Sequence, residues 1–211
     1  RMHVGNRGPA RLAWGLLLTS LAMATAGAAE PCAEPRARVV SAHGSVELRR
    51  ASESGWAPAA LDDALCVGDT LRTLAESRAA LRLPDATVLR VDQNSALSFP
   101  APRDAKRTWL EVLAGAIHVI SRDPRALRVL TPFANAGIDG TEFLVAVSAS
   151  DTRLLVLEGR VTVATAAGEA RIASGESVRA SAGAAPVVAR ELRPRDAVAW
   201  TLYYPPVAPP E

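Results

Sequence analysis

Apolar and polar residues alternate at period two along most of the chain. The pattern is clear in VVSAHGSVEL (39–48), AALRL (79–83), VLRV (88–91), ALSF (96–99), LEVL (110–113) and AIHVI (116–120). It continues in LRVL (127–130), FLVAV (143–147), LLVLEGRVTV (154–163), ARI (170–172) and SVRA (177–180), with Gly, Pro, Asp and Asn between the runs. Successive side chains of a strand point to opposite faces, so short runs of this kind predict an all-β single domain of antiparallel-type strands, each burying one face. No window before Arg193 has the 3.6-residue period of a long amphipathic helix. Only Pro194 to Leu202, with proline at its start, hints at a short one.

A weak internal echo runs through the pattern. Gly44-Ser-Val-Glu-Leu is followed by Val67-Gly68-Asp69-Thr70-Leu71, and Gly159-Arg-Val-Thr-Val by Ser174-Gly175-Glu176-Ser177-Val178. Each unit reads as a glycine entering a strand, a hairpin, and a glycine-acid pair leading into the next strand. Glycine supplies positive φ and the acid accepts turn amides, which gives Gly68, Asp69, Gly175 and Glu176 structural roles. Units of this kind stack into a curved β-roll or solenoid, and a two-sheet sandwich fits the same pattern.

The amino terminus follows a different pattern. Arg1, Arg7 and Arg11 precede the uncharged run LAWGLLLTSLAMATAGA (12–28), which ends in small residues. That is the layout of a helical secretory signal peptide, with cleavage expected near Ala29. A membrane anchor is the other reading, disfavoured because strong hydrophobes thin out after Met23. Lipid attachment at Cys32 is disfavoured by Pro31 directly before it. Removing 1–29 takes away three of the 24 basic residues and none of the 22 acidic ones, turning a net charge of +2 into about −1. No basic run interleaved with aromatics remains, which excludes the usual nucleic-acid-binding signature.

Cys32 and Cys66 are the two cysteines of the chain. In an exported protein they read as a disulfide. A metal pair or redox pair fits less well, because the spacing is far from C-x-x-C and no histidine cluster accompanies it.

Chemistry-bearing motifs are absent from the sequence. It contains no phosphate-binding glycine loop, dinucleotide fingerprint, H-E-x-x-H or G-x-S-x-G. His43 and His118 lie within alternating segments, where a partly exposed structural histidine is the expected role. Asp62-Asp63 reads as a solvated turn.

The stretch TPFANAGIDGTEFLV (131–145) sets glycine, threonine and glutamate side by side. It reads as a sheet corner. Thr131-Pro132 ends one strand, Gly137 and Gly140 permit a tight turn, and Thr141 and Glu142 cap it before Phe143 and Val145 re-enter the core. Glu142 as a general acid is the competing reading, and it has no partner nearby in sequence.

On these residues the chain resembles the FecR domain family, a periplasmic module named for the ferric-citrate transport regulator. TPFANAGIDGTEFLV is similar to the family's T-P-x-A-x-x-x-x-x-G-T-x-F core, carrying Thr131, Pro132, Gly140, Thr141 and Phe143. VLEGRVTV followed by SGESV, GSVELRR, and GWAPAALDDALCVGDTLRTLAESRAALRLPDATVLRV are similar to the rest, so the resemblance spans roughly Arg38 to Val188. With the amino-terminal pattern, it gives an expected signal peptide over 1–29, a linker over 30–37, a FecR-like β domain over 38–190 and a Pro-rich linker with a possible short helix over 191–211.

The named regulator is an inner-membrane protein whose cytoplasmic segment acts on a sigma factor. Here the expected signal peptide stands where that segment would be. The tail RPRDAVAWTLYYPPVAPPE looks like the linker that joins exported members to tetratricopeptide-type repeats. The resemblance therefore implies a non-enzymatic periplasmic binding or scaffold protein, possessing no cofactor and no metal, that recognises an envelope protein or cell-wall component and meets the membrane only through its signal peptide. An inner-membrane sigma-factor regulator in iron uptake is the alternative, and an unrecognised cell-wall hydrolase a second one.

Overall fold

The computed structural model describes residues 2, 32–102, 108–121 and 127–203. The expected signal peptide, apart from residue 2, lies outside the described residues, as does the end of the Pro-rich tail.

Alternating segments form strands where turn residues bound them. The run 39–48 becomes two strands, β1 (Ala37–His43) and β2 (Val46–Arg49), because Gly44 adopts φ +71° between them. Next come β3 (Ala57–Pro58), β4 (Ala64–Leu65), β5 (Thr70–Thr73), β6 (Arg78–Arg82), β7 (Val88–Val91) and β8 (Ala96–Ser98). Three long strands, β9 (Thr108–Ile120), β11 (Asn135–Val147) and β12 (Asp151–Thr165), flank the short β10 (Leu127–Leu130). The chain ends with β13 (Gly168–Ala173), β14 (Glu176–Ser181), β15 (Val187–Arg190) and a 3-10 helix, Pro194–Tyr203, where the sequence hinted at a helix.

The long strands each serve two sets of neighbours. The first halves of β9 and β11 and the second half of β12 join β8, β10 and β13, and β8 continues to β5, β2 and β3. Their other halves pair β7 with β9, β9 with β11, β11 with β12 and β12 with β14. That set extends to β6, β1 and β4 on one side and to β15 on the other. β9, β10 and β11 thus pair with one another in a closed ring, giving an all-β fold with a small barrel and flanking sheets. The β9–β10 pairing is parallel.

Changing neighbours requires a change of direction. β9 makes it at Gly115, φ +78°, β12 at Gly159, φ +95°, and β11 through register shifts between Gly140 and Phe143. A bulge of this kind inserts an unpaired residue and bends the strand. The two echoing units are alike at their turns and differ in pairing: β5 returns to β2, whereas β14 returns to the half of β12 that precedes Gly159.

The main core lies between the two sets, with Leu71, Leu97, Leu110 and Val112 from the first meeting Leu81, Leu89, Ile117, Phe143 and Leu154 from the second. A smaller cluster lies on the opposite face of the second set. There Leu144, Leu155 and Leu157 are covered by Val198, Ala197 and Trp200 of the 3-10 helix. Among the described residues no helix is long and apolar enough to cross a membrane.

Candidate functional site

The family-motif stretch turns earlier than its glycines suggest. The Thr131 amide and hydroxyl both donate to Ala134 O, at 2.9 and 2.8 Å, and Ala134 N–H donates back to Thr131 Oγ1 at 3.0 Å. Thr152 Oγ1 also donates to Thr131 Oγ1. Pro132 is exposed within this turn. The tight turn expected at Gly137 and Gly140 is replaced by continuous strand: Gly137 pairs with Arg128 and Thr162, and Gly140 with Gly159. Ladder partners on both sides make an extended, bulged strand the way to satisfy these backbone groups. Thr141 lies between the register shifts, and Phe143 is in the main core.

Alternation then sends Glu142 and Leu144 to the face opposite Phe143. On β9 the same rule puts His118 outside while Ile117 and Val119 enter the core. His118 is opposite Leu144, and Glu142 is two positions along, so the two are diagonal neighbours across the pair. His118 Nε2 lies 3.0 Å from Glu142 Oε1, and Arg195 Nη1 of the 3-10 helix lies 3.6 Å from Glu142 Oε2. Arg90 of β7 flanks His118 on the other side.

The partly exposed histidine expected from sequence is instead 2% exposed, and its Nδ1 is buried without a hydrogen bond. Burial pushes the ring's pKa below its ordinary 6.5; the Glu142 carboxylate opposes this, and the Arg90 and Arg195 cations reinforce it. Glu142, partnerless in sequence, therefore gains an imidazole and a guanidinium. Acid, base and cation are the ingredients of proton-transfer chemistry. However, the ring is enclosed, and among the described residues no hydroxyl or thiol hydrogen-bonds to it. The arrangement ties the 3-10 helix to the sheet. Local sequence carries no signal of it, since the two residues meet only through the β9–β11 register.

The glycine-acid turns are built alike. Gly68 has φ +85°, and the buried carboxylate of Asp69 accepts from Cys66 N and Ala51 N, both at 2.9 Å, and from Arg50 Nη1 at 3.0 Å. Gly175 has φ +83°, and Glu176 Oε2 accepts from Ala173 N at 2.9 Å. Cys32 and Cys66 form a disulfide with Cα atoms 6.0 Å apart, joining the leading segment to the Asp69 turn. Among the described residues no group of three or more His, Cys, Asp or Glu is placed to hold a metal.

Residues 69–162 match the family model described as FecR protein. The chain contains a FecR-domain region, which includes the β9 and β11 strands that carry the Glu142 site. Two crystal structures of a candidate anti-sigma factor from Parabacteroides distasonis ATCC 8503 share the fold, each with TM-score 0.55 and 18% identity over 63% of this chain. The match spans 63% and 64% of those chains. No curated protein matches the sequence.

Proposed function

We propose that the chain is a non-enzymatic FecR-domain binding or scaffold module of the cell envelope, working outside the cytoplasm on an envelope protein or cell-wall component. The observation that carries this reading is the FecR-domain region itself, in which the acid–imidazole pair is enclosed beneath the 3-10 helix and used to hold it. The disulfide supports an oxidising compartment, and the signal-peptide layout of residues 1–29 supplies the route to it. In this reading the FecR-like domain spans 38–190 and the membrane is met only during export.

Fractionation with mass spectrometry of the amino terminus, followed by in-cell crosslinking and identification of the captured partner, tests it. A mature end near Glu30 and an envelope partner are expected. A chain kept in the cytoplasm, or release of wall fragments by the purified protein, would overturn it, the latter in favour of a hydrolase. The fold shared with a candidate anti-sigma factor favours one second reading, an inner-membrane regulator of a sigma factor. Crosslinking to a sigma factor would select it.

A further inference from the structure

The outer face of the first strand set carries one unbroken row of paired positions: Trp109 on β9, Arg128 on β10, Gly137 on β11, Thr162 on β12 and Arg171 on β13. Directly paired residues share a face, so the row lies along the floor of a single cleft of about 580 Å³. Small-ligand sites fall in this size range. Asn135, Asp139 and Glu169 stand beside it.

At the centre of the row, glycine makes room for arginine. A Cβ built on Gly137 would collide with Arg128 Nη1 and approach Cζ to 3.0 Å, so the guanidinium lies across the bare α-carbon of the neighbouring strand. Arg128 is half-buried, and among the described residues no carboxylate pairs with it. Glu169 is instead within 3.6 Å of Arg171, in an exposed pair. The cleft therefore presents a positioned guanidinium fork ready to take a planar anion in two parallel hydrogen bonds.

The surrounding groups narrow the anion's class. Every strand under the cleft is paired on both sides except β13, so its floor has spent its backbone groups in the ladder. Extended peptides gain affinity by adding to a strand edge, and among the strands under the cleft β13 alone, at the rim, has one to offer. Asp139 and Glu169 accept hydroxyls readily, as the Asn135 amide and Thr162 hydroxyl do, and Trp109 walls the cleft beside Arg128. We infer that this cleft binds a carboxylate-bearing sugar, a uronic-acid-type unit, with Arg128 on its carboxylate and Asn135, Thr162 and Asp139 on its hydroxyls. The inference rests on the chain being a binding module and names a ligand class for it.

Titration calorimetry of the full chain with tetragalacturonate tests the site. Binding is expected, at least tenfold weaker with the methyl ester of the probe and at least tenfold weaker in Arg128→Gln. Gly137→Ala should weaken binding similarly with an unchanged melt, because the group it displaces is the far end of a flexible side chain. If Gly137→Ala melts early, Arg128→Gln alone decides. No binding by the natural chain, equal binding by Arg128→Gln, or equal binding of tetraglutamate would overturn the inference. An envelope-localised chain that captures a partner yet ignores the probe removes this site and leaves the module reading standing.

Discussion

His118 of β9 and Glu142 of β11, 24 residues apart in sequence, are joined side chain to side chain at 3.0 Å on the face of the sheet that the 3-10 helix covers. The burial of His118, which the contact with Glu142 only partly offsets, couples stability to pH. The unfolded imidazole takes up a proton near its ordinary 6.5, whereas the buried ring does so only at lower pH. Below about pH 6.5 the unfolded state thus binds more protons, and stability, complete above that value, falls as pH drops towards the folded pKa. Arg90, Glu142 and Arg195 face the ring, and Glu158 pairs with Glu142 from β12. Urea melts at about pH 5.5 and pH 7.5 should show this loss, and His118→Gln should reduce it. An unchanged pH dependence in that variant would refute the coupling.

Removing the carboxylate altogether has a different signature. Glu142→Ala leaves the buried Nε2 without its partner and should cost about 1–3 kcal/mol, while Glu142→Gln keeps an acceptor and should cost less. Denaturant midpoints compare them directly. Equal losses would mean that the charge, and not the hydrogen bond, holds the pair.

Asp69 is the more demanding acid. Its side chain is 3% exposed and serves two backbone amides and Arg50, so Asp69→Ala orphans all three and should cost about 3–5 kcal/mol. A thermal melt lowered by only a few degrees would show that water substitutes for the carboxylate.

Two glycines with similar φ should respond unequally. At Gly115, φ +78°, a new Cβ would come within 2.5 Å of Ser95 Cα, whereas at Gly175, φ +83°, it would enter open space. Gly175→Ala bears backbone strain alone, about 1 kcal/mol, and Gly115→Ala adds a backbone clash, raising the loss to roughly 3 kcal/mol or more. Similar melts for the two variants would contradict the close approach of Ser95 to β9.

The Cys32–Cys66 bridge closes a separation of 34 residues. Chain-entropy arguments put its contribution at about 3–4 kcal/mol, so Cys32→Ser with Cys66→Ser should lower stability by that order. Calorimetry of the double variant would settle it, and a loss below about 1 kcal/mol would show that the reduced chain already holds the Asp69 turn.

Which residues face inward is legible from the local pattern alone. Period-two alternation is a local consequence of the pleat, and it marks Leu81, Leu89, Val119, Val145 and Val163 as core without any knowledge of their partners. Glycine-acid pairs at 68–69 and 175–176 were equally legible, because positive φ and a nearby acceptor are properties of one turn. β15 was not: all four of its residues are exposed, so it carries no alternation to read.

Features that depend on register emerge only when the strands pair. Gly137 and Gly140 looked like turn residues because local sequence does not show whether β10, β12 and their neighbours will occupy the adjoining hydrogen bonds; once they do, the strand stays extended and only a bulge remains. Likewise the burial of His118, the partners of Glu142 and the alignment of Trp109, Arg128, Gly137, Thr162 and Arg171 arise from strands far apart in the chain. A shift of one residue in any of those pairings would turn the side chains to the other face. Such contacts are set by the sum of all ladder bonds and core packing, which no single stretch of residues contains.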